Sequence, residues 1–360
     1  MKISENSKQD IDALKARFID DLKYPITVFE EPYWSFYLNL YELEKKSCQS
    51  WVRLCFMIEE EYDGKIKPFL EDFYACREAL IQSLQTCSAY EKYNSMELPS
   101  VDKSFFGNNI KKNDIYNEGY VGGTYISIDL KKANVQAFNY VSPEFFGQKI
   151  DDDHTVDQVY EAWIKKHTEG KKTLSWYVPQ SKYIRQVIFG NCNPKRQIRI
   201  EESLVCEAGK LVIGWLKKGH EVVEIGSDEM VLKVPELELD EKSYKELEET
   251  ILHVLGVQVK IEPYKLSSLE FQTGNGHTLR VYKKNHIREG KGPEYKGIHK
   301  HYHAQIYESI HNIPVSPEEY DLVFYQEKEP AKFIDRIKFI GENNGRFQTI
   351  NSHVYLSCLR

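Results

Sequence analysis

Apolar residues recur at three- and four-residue steps through the first hundred positions. Ile11, Leu14, Phe18 and Leu22 trace one face of a helix over 8–22. Two longer amphipathic patterns, 34–61 and 65–93, are separated by EYDGK, where Gly64 and the flanking charges mark a turn. The spacing predicts a short helical lead-in followed by a helical hairpin. Residues 97–123 are rich in Asn, Gly and Lys and read as loop. The period then changes. TYISIDL (124–130) is β-branched and aromatic, bounded upstream by Gly122 and Gly123, and reads as a strand. Residues 131–141 have helical character, ended at Ser142-Pro143. Helices are expected over 155–168, with Thr155 as cap, and over 181–190, stopped by Gly190 and Pro194. A longer helix is expected over 200–219. EVVEIGSDEMVLKVPE (221–236) reads as two strands around a tight tip, followed by a helix (243–256) and a strand (257–266). The last hundred residues mix strand patterns such as HTLRVYKK and YDLVFY with Gly-rich turns. The fold class this predicts is α+β.

Composition narrows the picture. The chain has 360 residues, 41% of them hydrophobic, which is enough apolar mass for a core and a length for two or three structural units. It holds no apolar run long enough for a membrane span, and its first residues, MKISENSKQDID, lack the pattern of a signal peptide. Seven scattered cysteines without a CxxC pair read as reduced thiols, so an intracellular setting is expected. The net charge of −7 argues against non-specific binding of nucleic acid, but the charge is unevenly placed. Residues 161–220 hold 12 Lys/Arg against 5 Asp/Glu, whereas 221–253 hold 3 against 11. A basic segment beside an acidic one suits a site that gathers a polyanion and a divalent cation.

The candidate chemistry lies in three places. Asp129 ends a strand. Asp228 and Glu229 sit at a hairpin tip. Between them, Lys182, Arg185 and Phe189 fall at i, i+3 and i+7, on one helix face, and NPKRQIR adds Lys195, Arg196 and Arg199. Two carboxylates from neighbouring strands can share hard divalent cations, which complete their shells with water and phosphate. Basic residues nearby can hold a triphosphate, and an aromatic can pack on a sugar or base.

These three segments, in this order, resemble the three motifs of a family A DNA polymerase palm. YISIDLKKANVQAF is similar to the first motif, KYIRQVIFG to the finger helix, and EVVEIGSDEMVLKVPE to the third motif. The resemblance covers about residues 120–265. It implies a palm-like antiparallel sheet with flanking helices over 101–265, with short fingers at about 150–200. The helical region 1–100 would be thumb-like, and 266–360 an accessory α/β segment. It also implies a nucleotidyltransferase that moves NMP or dNMP from a nucleoside triphosphate to a nucleic-acid 3′-hydroxyl and releases pyrophosphate. On this reading Asp129 and Asp228 hold two Mg²⁺ or Mn²⁺, with Glu229 beside them as a further catalytic acid. Lys182, Arg185, Phe189 and Asn134 bind nucleotide, and Lys195, Arg196 and Arg199 bind primer or template.

Three features depart from the family. Phe189 and Asp228 are only 39 positions apart, so the fingers are reduced. Ser227 stands where the family has His, and Asn134 where it has a sugar-gating Glu. No exonuclease segment is apparent before residue 120. Two alternatives follow: a template-independent or RNA-synthesising nucleotide-adding enzyme, and a catalytically silent palm that binds nucleic acid. A metal-dependent nuclease is a further option, although it would not need the basic helix. His299, His301 and His303 alternate, as strand residues sharing a face do. They lack the further ligands a zinc site needs, and read as a surface tract or one facing nucleic acid.

Overall fold

The computed structural model describes residues 2–24, 26, 29–31, 34–35, 38, 50–101, 103–107, 110, 115–168, 170–216, 219–236, 239–273, 276–288, 291–298, 306, 309–310, 323–326, 329–332 and 337–344. His299, His301 and His303 lie outside them, as do 36, 37 and 39–49 of the expected helix 34–61. The described elements combine helices with antiparallel strand pairs, an α+β fold. Among the described residues no helix is long and apolar enough to cross a membrane. Cys55, Cys76, Cys87, Cys192 and Cys206 are free thiols.

The chain packs as two units, one of residues 1–23, 49–113 and 126–262, the other of 24–48, 114–125 and 263–360. The helices within 1–23 and 49–113 thus share a unit with Asp129 and the hairpin that carry the candidate site. The second unit also takes in residues 24–48 and 114–125, so the units do not follow the sequence segments 1–100, 101–265 and 266–360.

The first unit opens with α1 (Lys8–Leu22), α2 (Ser50–Tyr62), α3 (Ile66–Gln85) and α4 (Ser88–Ser95). The single helix expected over 65–93 is broken at Thr86 and Cys87, which separate α3 from α4. β1 (Thr124–Leu130) leads into α5 (Ala133–Val141) and the one-turn α6 (Pro143–Phe146). Next come α7 (Val156–His167), α8 (Lys172–Tyr177), α9 (Lys182–Gly190) and α10 (Pro194–Trp215). Thr155 caps α7 in a complete capping box with Gln158, as its position before an amphipathic run predicts. Pro194 does not stop a helix; it starts α10. Proline lacks an N–H that the first helical position would leave unbonded anyway, and Asn193 caps the turn by accepting from the Arg196 N–H. Lys195, Arg196 and Arg199 therefore ride on the first turns of α10.

A hairpin of β2 (Glu221–Ile225) and β3 (Glu229–Val234) follows, then α11 (Glu241–Leu255), ended by Gly256 in the left-handed conformation. β4 (Val259–Thr273) begins in this unit, and the order of neighbouring strands is β2-β3-β1-β4. The burial pattern of β1 leaves Asp129 partly open between buried Ile128 and Leu130.

α9 is anchored from below by a buried carboxylate. Asp21 on α1 accepts hydrogen bonds from Arg17 Nε (3.1 Å), Tyr177 Oη (2.7 Å) and Ser181 Oγ (2.6 Å). Ser181 Oγ in turn accepts from the Ile184 N–H and caps α9. The Arg17 guanidinium lies 3.8 Å over the Tyr183 ring. Burial raises the Asp21 carboxyl above its usual range even against these partners. The network fixes the N-terminal end of α9, where Lys182 begins.

The second unit is built on the remainder of β4, paired antiparallel with β5 (Thr278–His286), which pairs with β6 (Glu294–Lys296). β7 (Val323–Gln326) and β8 (Glu329–Lys332) form a separate pair, and β9 (Ile337–Asn343) returns to β4. Leu269, Phe271, Val281 and Ile306 form one buried apolar cluster in it.

Candidate active site

The end of β1 is held between two other chain segments. The Leu130 N–H donates to the Asp228 carbonyl (2.8 Å), and the Lys131 N–H to the Gln258 carbonyl (3.1 Å). Lys132 then takes a left-handed backbone conformation (φ 47°), which turns the strand into α5. Gln136, fully buried, clamps the turn. Its Nε2 donates to the carbonyls of Lys131 (2.6 Å) and Gln258 (2.7 Å), and its Oε1 accepts from the Gln258 N–H (2.6 Å). Across the hairpin tip, the Gly226 N–H donates to the Glu229 carbonyl (2.7 Å), leaving Ser227 and Asp228 as the turn.

Asp129, Asp228, Asn134, Lys182 and Arg185 line a single cavity of about 440 Å³. Its acidic groups are Asp129, Asp228 and Glu201. Burial, then the neighbouring carboxylates Glu229, Asp228 and Glu262, push the Asp129 carboxyl up to about 7, against the opposing pull of Lys260. Lys260 Nζ sits 2.5 Å from a Glu262 oxygen. Glu229 does not line the cavity; its Oε1 accepts from Ser127 Oγ at 2.5 Å. The cavity's positive groups are Lys182, exposed, Arg185 and Lys132. The Arg185 Nε is buried and has no hydrogen-bond partner. Burial holds its guanidinium below the usual value, against the favourable charges of Tyr160 and Asp157. Asn134 Nδ2 donates to the Arg185 carbonyl at 3.4 Å, joining α5 to α9.

Five residues expected at the site, Phe189, Lys195, Arg196, Arg199 and Glu229, do not line this cavity. Phe189 is 1% exposed and packs against Phe138 and Trp163. The helix face that carries Lys182 and Arg185 turns inward at its C-terminal end, so Phe189 serves the core and is not offered to a nucleotide. Phe189→Ala is expected to cost about 3–5 kcal/mol of stability, as loss of a buried aromatic does, read as a lowered denaturation midpoint. Arg196 Nη1 donates to the Met96 carbonyl at 2.7 Å. Arg199 pairs with Glu202 at 3.2 Å, and Glu202 also binds Lys103. Both arginines thus have partners within the protein, while Lys195 is exposed. Glu229, held by Ser127, acts on Asp129 through its charge.

The sequence reading did not single out Lys132, Gln136, Glu201 or Glu262. Glu201 is buried in the cavity wall and accepts from Gln197 Nε2 at 2.7 Å. The nearest signal was the position of Lys132, three residues after Asp129.

Asp129 and its neighbours are hard oxygen donors, and burial, followed by their mutual repulsion, raises the Asp129 carboxyl. A divalent cation relieves such repulsion, so Asp129 and Asp228 fit Mg²⁺ or Mn²⁺ in chemistry. Among the described residues no three His, Cys, Asp or Glu side chains form a metal cage. Two carboxylates with water and a ligand phosphate are the arrangement left to such an ion. No protein-family model, curated protein or solved structure matches the chain. The palm resemblance therefore rests on the residues of the three motifs.

Proposed function

We propose that the cavity transfers a nucleoside monophosphate from a nucleoside triphosphate to a nucleic-acid 3′-hydroxyl, on a palm like that of family A DNA polymerases. One observation carries the reading. A single cavity is lined by carboxylates whose charges repel and by a half-buried guanidinium whose Nε has no hydrogen-bond partner. A ligand that brings both dications and polyanion answers both. A nuclease site would need the carboxylates but not the half-buried arginine.

Asp129 and Asp228 would hold two Mg²⁺ or Mn²⁺. When bound, such ions lower the pKa of an attacking hydroxyl and stabilise charge on the leaving oxygen. The chain's own part is position and charge. The Gln136 clamp and the Leu130–Asp228 bond fix the two aspartates relative to each other. Lys182 and Arg185 neutralise the triphosphate, and Asp21 holds the helix that presents them. Asn134, tied to the Arg185 carbonyl, faces the same space as a neutral hydrogen-bonding group. Lys195 remains available to a nucleic-acid backbone.

The test is whether pyrophosphate appears in step with primer lengthening. One pyrophosphate per added nucleotide supports transfer. Primer shortening with release of nucleoside monophosphates would identify a nuclease instead.

A further inference from the structure

Lys132 is a cavity cation to which the motifs assign no role. Its backbone conformation at the strand–helix turn places it in the wall beside Asp129, and its side chain is 17% exposed. Its Nζ is 2.5 Å from Asp157 Oδ1, at the first turn of α7, and 5.2 Å from the Tyr160 ring centre. Asp157 is itself 58% exposed and also acts electrostatically on Arg185. Tyr160 is fully buried, and its hydroxyl, like Arg185 Nε, has no hydrogen-bond partner. One solvated carboxylate thus answers two cavity cations, while two buried donors nearby go unanswered. Buried donors left unpaired carry a desolvation cost that an anion can relieve.

We propose that Lys132 is a third phosphate-binding residue, held by Asp157 until a polyphosphate displaces it. This rests on the nucleotidyl-transfer reading and extends it. With Lys132, Lys182 and Arg185 the cavity has three cations, a number suited to a triphosphate and in excess for a single phosphate. Asp157 acts as an internal competitor. The pair is largely exposed on the aspartate side, so breaking it costs little.

The experiment is calorimetric titration of the full chain with inorganic tripolyphosphate and, separately, inorganic phosphate, without divalent cation. Lys132→Met is expected to weaken tripolyphosphate binding about tenfold, the worth of one charged hydrogen bond. Asp157→Asn is expected to tighten it about two- to fivefold, the worth of an exposed ion pair released. Affinity for single phosphate should change less in both. Wild-type affinity in both variants, or no tripolyphosphate binding by wild type, would overturn the proposal. The variants also separate it from the broader reading. Primer extension that is indifferent to both substitutions removes the role of Lys132 and leaves transfer intact. Lys132-dependent tripolyphosphate binding without extension keeps the phosphate site and removes transfer.

Discussion

Asp129→Asn is expected to abolish nucleotide transfer, by at least roughly 10³-fold, and at the same time to make the protein more stable at pH 8. The two effects have one cause. In the folded chain the Asp129 carboxyl is raised from 3.8 to about 7 by burial and by Glu229, Asp228 and Glu262. Between those values the native state binds the proton more tightly than the unfolded state. Wild-type stability should therefore fall as pH climbs from about 4 to about 7, then level off. A shift of this size corresponds to about 4 kcal/mol, as an order of magnitude. Asparagine carries no charge at any pH, so the variant lacks the slope. Its gain should be largest above pH 7 and absent below pH 4. Mg²⁺ should raise the denaturation midpoint of wild type at pH 8 and leave that of the variant nearly unchanged. Thermal denaturation across pH, with and without Mg²⁺, checks all of this. A variant no more stable than wild type at pH 8 would mean that the carboxylates are not in conflict.

The second large effect is expected at Arg185. Arg185→Met should lower kcat/KM for nucleotide by roughly 10²–10³-fold, the usual worth of a preorganised donor at a site of developing charge. The fold should not suffer. The side chain is half-buried and its buried Nε makes no hydrogen bond, so an unbranched apolar side chain leaves no polar atom unpaired there. Arg185→Lys should restore part of the activity, since it keeps the charge and loses the planar fork. Steady-state kinetics beside a denaturation curve separates these outcomes. An unchanged kcat/KM in Arg185→Met would remove the guanidinium from the mechanism.

How much of this was legible depended on how local the cause was. Asp129 and Asp228 could be read because a strand end and a hairpin tip are short-range patterns. Pairing across β1 and the hairpin then brings them into one cavity. Lys182 and Arg185 could be read from three-residue spacing. Phe189 was misread on the same logic: periodicity names a face but not what covers it, and Phe138 and Trp163 cover this one. The partners of Arg196 and Arg199 were not legible because Met96 lies a hundred positions away, and because nothing in the pattern shows which neighbour Arg199 chooses. Pro194 looked like a stop because proline opens and closes helices alike; Asn193 decides which. Gln136 was invisible for a stronger reason. Its partner Gln258 lies 122 positions on, and a buried amide between two strands leaves no mark in hydrophobic pattern.

The most direct measurement is extension of a labelled primer, alone and annealed to a template. Deoxy- and ribonucleotides are supplied one at a time, in Mg²⁺ and in Mn²⁺, with Asp228→Ala in parallel. Nucleotide addition by wild type that is absent from the variant is the predicted result. Dependence of the added nucleotide on template would make the transfer templated; addition without template would make it terminal. No lengthening under any combination, with nucleic-acid binding equal in wild type and variant, would contradict catalysis at this cavity.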